Sequence, residues 1–590
     1  MLHKYTEKHR KPFTFVEEEK NDDFTKNLVD ANLLPKELQD LNLGSSSERA
    51  KSLSRHENRI FSNKYVIPDD GVPEQLAFDL VRNELTLDGN PHLNLASFVN
   101  TSSTALAKKL ITENINKNLA DNDEYPQLIE LTERCISMLA QLWKCGKNGE
   151  EPIGCATTGS SEAIMLGGLA MKKRWEHKMK DASKSTSRPN IIMSSACQVA
   201  LEKFARYFEV ECRLVPVSSE SHHSLDPKLL WDFVDENTIG VFVILGTTYT
   251  GHFENVEQVA NTLQEIETAN PTWSNREIPI HVDGASGGFI LPFSFTEKQL
   301  AAAKVSYWGF NHPRVLSMNS SSHKFGMTTP GLGWVLWRDG HFVPSELRFT
   351  LRYLGGVEET FGLNFSRPGF QVIHQYYNFI SLGFKGYQTL FNKSLFVARA
   401  FCFNLLKNKE MPDYFEVVSG IHNRISDGNL PAKLDDYWRH PDQFQPGVPL
   451  AAFKLSAQFH KRFPDIPQAM LSTLLRLRGW IVPNYPLPKS TDGSDQSEVL
   501  RVVFRSEMRL DLAQLLLTDI QNVVSKLIRC YSKVKEETAV ATSSQNRNIR
   551  GDVIFDVLST LADPAAEQET PAEEVRETRK KMSKNYRGTC

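Results

Sequence analysis

The chain has 590 residues, 40% of them hydrophobic and 24% charged, which is too much for one core and suits two or three domains. Lys and Arg total 68 against 71 Asp and Glu, a formal net charge of −3 with no basic stripe, which argues against nucleic acid as the natural partner. Eight cysteines are scattered with no C-x-x-C pair and no Cys/His cluster, which argues against a disulfide framework and against zinc, and suits a reducing compartment.

Residues 1–60 are charged and contain Ser45-Ser46-Ser47, so they read as a loosely ordered extension. The start, Met1-Leu2-His3-Lys4-Tyr5, is polar and soon acidic, unlike a secretory signal or an acid-poor transit peptide. No apolar run is long enough to cross a bilayer, and Cys590, with nothing after it, is not a prenylation box. A cytoplasmic protein without a membrane anchor is expected. Residues 61–149 carry a helical signal, with Leu128, Leu131, Cys135, Met138 and Leu142 at spacings of three and four. Between 150 and 395 short β-rich runs at 190–195, 241–246, 278–282, 315–318 and 334–337 alternate with helical stretches, which predicts an α/β fold with a mainly parallel sheet. From 396 to 540, strands at 450–455, 480–482 and 499–504 and a helix from 510 to 534 predict a smaller α+β domain with an antiparallel sheet. Residues 541–590 read as a mostly mobile tail.

Three constellations carry chemistry. In Gly159-Ser160-Ser161-Glu162-Ala163 a turn opens a long helix, leaving free N–H groups, two hydroxyls and the positive end of the helix dipole facing one point, as a phosphate requires. Taken alone, Ser160 or Ser161 is equally an ordinary N-cap. In His281-Val282-Asp283-Gly284-Ala285 an apolar strand ends on a carboxylate followed by small residues. A carboxylate at about 4 Å from a ring nitrogen, at an effective dielectric near 20, contributes about 4 kcal/mol, enough to hold a weakly basic nitrogen protonated. His281, two residues earlier on the same strand face, is placed to orient that carboxylate; a helix N-cap is the alternative role for Asp283. In Ser321-Ser322-His323-Lys324-Phe325-Gly326 a strand delivers a lysine into a tight turn framed by small hydroxylated residues. A lysine that condenses with an aldehyde needs such a frame, whereas a solvated lysine does not. Phosphate cradle, ring-nitrogen partner and amine together point to pyridoxal 5'-phosphate, with Lys324 as its Schiff-base residue and Ala285 small enough for the ring to lie flat. A Rossmann nucleotide site is disfavoured, because the later fingerprint glycines are missing.

Over residues 60–535 and again at Asn585-Tyr586-Arg587-Gly588-Thr589-Cys590, the sequence resembles the pyridoxal-phosphate-dependent glutamate decarboxylases of the group II decarboxylase family, most nearly the fungal ones. Leu93-Asn94-Leu95-Ala96-Ser97-Phe98, the run from Asn118 to Pro126, Glu202-Lys203-Phe204-Ala205-Arg206-Tyr207-Phe208 and Asn364-Phe365-Ser366-Arg367-Pro368 carry the likeness. It implies an aminotransferase-like (fold type I) architecture, a homodimer or higher homo-oligomer, and decarboxylation of L-glutamate to γ-aminobutyrate. It implies Gln198 over the outer face of the ring where relatives often have histidine, Thr248 on the cofactor, Ser321 on the phosphate and His323 beside it. Ser322 stands where relatives often carry glycine. The likeness further implies Arg501 as the arginine that engages the substrate, although by itself it reads as a surface arginine on an edge strand. Tyr353 falls in a segment resembling a lid hinged at Gly355 and Gly356, as a candidate proton donor or a packing residue. Ser97, Phe98, Asn118 and Asp121 match residues around the distal carboxylate, reaching the site from the neighbouring subunit; by themselves Asn118 and Asp121 also suit a helix terminus. Two neighbouring carboxylates are tolerable only when they share a proton, so better glutamate binding below neutral pH is expected. Decarboxylation of aspartate, cysteine sulfinate or aromatic amino acids, a carbon–carbon lyase, and a catalytically silent scaffold are the alternatives. No tryptophan follows Trp480, and the basic stretch 576–584 lacks an aromatic anchor, so calmodulin is not an expected partner.

Overall fold

The computed structural model describes residues 65–68, 71–121, 123–146, 149–351, 358–488 and 497–541. The chain divides into two compact units between Asp88 and Gly89. In the first, the described part is centred on the helix Glu74–Leu85, which begins on an acidic residue and carries Arg82 in its last turn, matching the helix dipole. The extension at 1–60 and the tail beyond 541, with its basic stretch, lie outside the described residues.

The second unit is built on a seven-stranded sheet of β1 (Ile153–Thr157), β2 (Asn190–Ser194), β3 (Glu211–Val215), β4 (Thr238–Ile244), β5 (Ile280–Asp283), β6 (Val315–Ser321) and β7 (Gly333–Trp337), in the order β1-β7-β6-β5-β4-β2-β3. From β6 through β3 every pairing is parallel, and the central strand β4 is a nearly continuous, fully buried apolar run. β7 is antiparallel to both neighbours. The link from β6 to β7 spans only residues 322–332, too short for the helical crossover a parallel return needs. β1 and β3 carry no signal in the sequence reading, and β6 runs three residues further than its apolar stretch, because Asn319, Ser320 and Ser321 are polar yet fully buried.

Helices cover the sheet. The predicted apolar stripe falls on α1 (Pro126–Leu142), although Met138 is exposed and Ile136, Leu139 and Ala140 are buried in its place. α2 (Ser160–Asp181) packs against β4, β6 and β7. A short hairpin of β8 (Phe349–Leu351) and β9 (Glu358–Thr360) follows. The expected boundary at 395/396 falls inside one long element, α3 (Phe370–Leu406), which breaks helical geometry at Gly383 (φ 59°). A second sheet joins β10 (Phe415–Val417), β11 (Leu450–Leu455), β12 (Asn484–Pro486) and β13 (Glu498–Val503), all antiparallel, in the order β10-β11-β13-β12. The strand expected at 480–482 is displaced to β12; Ile481 makes only a lone bridge, to Asn94. α4 (Leu510–Ala541) packs on α3 and closes a second apolar core around Phe401, Phe453 and Phe504. Among the described residues no helix is long and apolar enough to cross a membrane.

Candidate active site

The carboxyl ends of β4, β5 and β6 and the start of α2 meet at one cavity of about 300 Å³, where ligands gather on open α/β sheets. Its walls include Ser160, Ser161, Gln198, Thr248, Asp283, Ala285, Ser321, His323 and Lys324. All nine cofactor residues expected from the sequence are therefore brought together.

The phosphate end is formed where β1 turns into α2. Gly159 (φ 159°) is extended, and the N–H groups of the first turn of α2 have no intrahelical partner. The Ser321 hydroxyl donates to Ser160 Oγ (2.7 Å), tying the strand before the lysine to the start of the helix. β7 passes directly beneath: a Cβ at Gly333 would lie 2.5 Å from the Gly159 carbonyl carbon, so only glycine fits. Glu162, buried in the first turn of α2, accepts from Thr158 N (2.8 Å) and Thr158 Oγ1 (2.9 Å), and from Leu363 N and Asn364 N (3.1 Å each). Burial pushes its pKa up, but these donors more than offset it and hold the carboxyl below its ordinary value. The carboxylate thus clamps residues 363–364 to the phosphate turn. In the sequence it reads only as a first-turn acid.

Lys324 is half-buried, its Nζ donating to Ser286 Oγ (3.2 Å) and lying 5.2 Å from the centre of the Phe98 ring. Burial lowers its pKa, Asp283 opposes the shift, and Arg501 adds to it. A lowered pKa leaves more of the free amine that attacks a carbonyl. Asp283 is 4% exposed; its Oδ1 accepts from Ala285 N and Asn319 Nδ2, both at 3.0 Å. The Gln198 side chain accepts from Ala200 N (2.6 Å), capping the helix Val199–Tyr207 at the cavity wall.

Arg501 reaches the site from β13. Its Nη1 donates to the Thr248 carbonyl (2.8 Å) and its Nη2 to the Ala96 carbonyl, while the guanidinium lies within cation–π reach of the rings of Phe98 (5.1 Å) and Tyr485 (5.5 Å). Arg505, four residues on, donates to the Val99 carbonyl (2.7 Å), so two arginines fix the loop that presents Phe98. Phe98 therefore enters from its own chain, beside both Lys324 and Arg501, rather than from a neighbouring subunit. Ser97, half-buried in the same loop, accepts from Val99 N (3.1 Å). Asn118 is held elsewhere: its Oδ1 accepts from Arg367 N (3.1 Å) and its Nδ2 donates to Ser366 Oγ (3.3 Å), and Asp121 belongs to the same turn. Neither lines the cavity around Lys324. Tyr353 and its flanking glycines lie outside the described residues.

Pyridoxal phosphate fits these residues. Ser322 Oγ and His323 Nδ1, on either side of the backbone that presents Lys324, are buried with no hydrogen-bond partner among the described residues, as is Arg501 Nε. Burial lowers the His323 pKa and the Lys324 charge lowers it further, so the ring is neutral and available as donor or acceptor. Buried polar atoms without partners cost about 1–3 kcal/mol each, a cost that an anionic ligand removes. Among the described residues no group of three or more His, Cys, Asp or Glu could hold a metal ion.

Residues 79–424, more than half of the chain, match the model of the pyridoxal-dependent decarboxylase conserved domain. The chain belongs to the pyridoxal-dependent decarboxylase family. This decarboxylase is 63% identical to glutamate decarboxylase of Saccharomyces cerevisiae over 95% of its own length and 96% of the relative's. It is 40% identical to glutamate decarboxylase 5 of Arabidopsis thaliana, over 83% of this chain and 91% of that one. Among solved structures, Lactobacillus brevis glutamate decarboxylase superposes with a TM-score of 0.67 at 34% identity, over 79% of this chain and 95% of that chain. A sphingosine-1-phosphate lyase from Burkholderia pseudomallei (TM-score 0.59, 18% identity, over 78% of this chain and 92% of that one) shares the fold.

Proposed function

We propose that this decarboxylase converts L-glutamate to γ-aminobutyrate and carbon dioxide. The observation that carries the substrate class is one cavity lined by Lys324 and Asp283 with Arg501 at its edge, bonded to the carbonyl of the wall residue Thr248 and sharing the Phe98 ring with Lys324. Near-full-length similarity to the yeast glutamate decarboxylase supports the choice of amino acid.

Bound pyridoxal phosphate supplies an electron sink for the pair left on the α-carbon when carboxylate departs as carbon dioxide. The protein's residues supply the rest. Lys324 would hold the group through its amine and would also serve as a proton carrier within the cavity. Asp283 fixes a proton on the ring nitrogen. Arg501 is oriented by its bonds to the Thr248 and Ala96 carbonyls and keeps its remaining donors, the unpartnered Nε among them, for a substrate carboxylate. Phe98 covers Lys324 and keeps water away from the bond that breaks. One proton returns to the α-carbon, with Tyr353 as its proposed donor and His323 on the phosphate side.

Asn118, anchored on residues 366–368, and Asp121 in the same turn do not line this cavity and are reserved for the distal carboxylate in a neighbouring subunit, which makes the active form a homodimer or larger homo-oligomer. Asp121→Asn is expected to weaken the pH dependence of the glutamate KM while leaving cofactor content intact; an unchanged pH profile removes Asp121 from the substrate site. The seven free cysteines among the described residues suit a reducing, cytoplasmic setting, and neither nucleic acid nor calmodulin belongs among the proposed partners.

The purified protein with added pyridoxal phosphate is expected to release carbon dioxide from glutamate and to accumulate equimolar γ-aminobutyrate. Faster release from aspartate, cysteine sulfinate or an aromatic amino acid overturns the substrate, and no release from any of them overturns the activity.

A further inference from the structure

Four buried polar side chains lie in a row between β5 and β6. Parallel pairing sets His281 opposite Ser317 and Asp283 opposite Asn319, and the two-residue period of a strand turns all four to one face. The distances are hydrogen-bonding throughout: Ser317 Oγ to His281 Nδ1, 2.7 Å; His281 Nε2 to Asn319 Oδ1, 2.8 Å; Asn319 Nδ2 to Asp283 Oδ1, 3.0 Å. Every member is 4% exposed or less.

The direction of each bond follows from chemistry. A carboxylate only accepts, so the Asn319 amide presents its NH₂ to Asp283 and its oxygen to His281. That oxygen only accepts, so His281 carries its hydrogen on Nε2. Burial holds the His281 pKa down at about 4, so at neutral pH its Nδ1 is bare and takes the Ser317 hydroxyl hydrogen. The imidazole cannot swing. Phe242 stands edge-on to it at 5.3 Å, and α2 approaches so closely at Gly167 that a Cβ there would lie 2.5 Å from the ring.

We infer that Asn319, braced by His281 and Ser317, is the positioning residue that fixes the Asp283 carboxylate: it saturates Oδ1 together with the Ala285 N–H and leaves Oδ2 for the cofactor's ring nitrogen. Among the described residues no hydrogen bond reaches Oδ2, and Asp283 lines the cavity. The same face of β6 ends at Ser321, which ties down the phosphate turn through Ser160, so alternate residues of one strand hold the two ends of the cofactor site in register. A carboxylate free to turn about its Cβ–Cγ bond would spend part of its time with neither oxygen in line with the nitrogen. The four-residue brace removes that freedom before the cofactor arrives.

The inference rests on the pyridoxal-phosphate reading above, and the tests separate the two, since a wild-type protein with no visible cofactor absorbance refutes that reading before any variant is made. Asn319→Ala is expected to weaken cofactor binding to the apoenzyme by about 10–100-fold, as loss of an orienting partner around a bound group typically does. It is also expected to displace the pH titration of the bound cofactor's visible absorbance and, at saturating cofactor, to lower kcat by a similar factor with the glutamate KM within about threefold of wild type. A merely structural role would lower thermal stability and cofactor content but return wild-type absorbance and kcat once cofactor is saturating, and that outcome overturns the inference. Should Asn319→Ala fail to fold, Ser317→Ala decides it. That variant leaves Asn319 and Asp283 in place but removes the hydrogen bond to His281 Nδ1, so a smaller displacement of the absorbance titration in the same direction is expected. A titration superimposable on wild type counts against the brace.

Discussion

Lys324→Ala is expected to lower γ-aminobutyrate formation by about 10⁴-fold or more while leaving the protein folded, because the substitution removes the amine that both joins the cofactor and carries protons. Folding survives because Lys324 contributes little to the core. Its Nζ makes one hydrogen bond, to Ser286, and lies over the Phe98 ring; a desolvated ammonium is itself an electrostatic cost that alanine relieves. Thermal stability of the apoprotein is therefore expected to hold or rise as activity disappears. Lys324→Arg sharpens the test, since it keeps a cation over Phe98 but cannot condense at neutral pH. Borohydride reduction, which traps a lysine-bound cofactor, should label wild type at residue 324 and neither variant. Turnover by Lys324→Ala at the wild-type rate would end this account of the site.

The parts of the site that the sequence made legible are those whose chemistry is local. Gly159-Ser160-Ser161, Asp283 and Lys324 each stand at the end of a strand, or the start of a helix, that announces itself within ten residues, and the cavity collects all of them. What the residues by themselves left open, Arg501 being named by the resemblance alone, depends on partners far along the chain. Arg501 lies against Ala96 across a separation of 405 residues, and no feature of β13 marks which of its side chains turns inward. Glu162 resembled any acidic residue of a first helical turn until Leu363 and Asn364 came to meet it. Asn319 left a signal that went unused. Ser317, Asn319 and Ser321 alternate in a strand at the middle of the sheet, where a polar residue every second position must find partners inside the protein. His281 was expected to orient Asp283 directly and does so through Asn319 instead, because residues two apart on one strand sit too far apart for their side-chain tips to bond without an intermediary from the next strand. The fold divides in the same way. Apolar runs located β2, β4 and β5, whereas β1 and β3 mix polar with apolar residues and take their strand geometry from their neighbours.

Arg501→Lys is the second change with a large expected effect, a loss of about 10²–10³-fold in kcat/KM for glutamate. The arginine does two things that a lysine cannot do together. Its Nη atoms hold the carbonyls of Thr248 and Ala96, one on the loop after β4 and one on the loop that carries Phe98, and its buried Nε has no hydrogen-bond partner among the described residues. The planar fork thus spends some donors on the scaffold and keeps others for a carboxylate, whereas a lysine ammonium is a point charge on a flexible stem. Losing one partner of a buried, hydrogen-bonded charge pair costs about 3–5 kcal/mol, and each 1.4 kcal/mol is tenfold, which brackets the expected loss once the charge that lysine retains is allowed for. The rings on either side make the site intolerant of slack. Phe98 and Tyr485 both pack against the guanidinium, and the Tyr485 hydroxyl, its pKa raised to about 12 chiefly by burial, stays protonated and donates to the Tyr249 carbonyl (3.3 Å). An ammonium in that slot would leave both carbonyls short of donors and let the Phe98 loop drift from Lys324. Both KM and kcat are therefore expected to worsen, KM through the lost grip on substrate and kcat through the loosened cover over the reacting amine. Cofactor content should remain near that of wild type, because the phosphate turn, Asp283 and Lys324 are untouched. Steady-state kinetics on cofactor-saturated enzyme decide the matter: values for Arg501→Lys within threefold of wild type would remove this arginine from the substrate site.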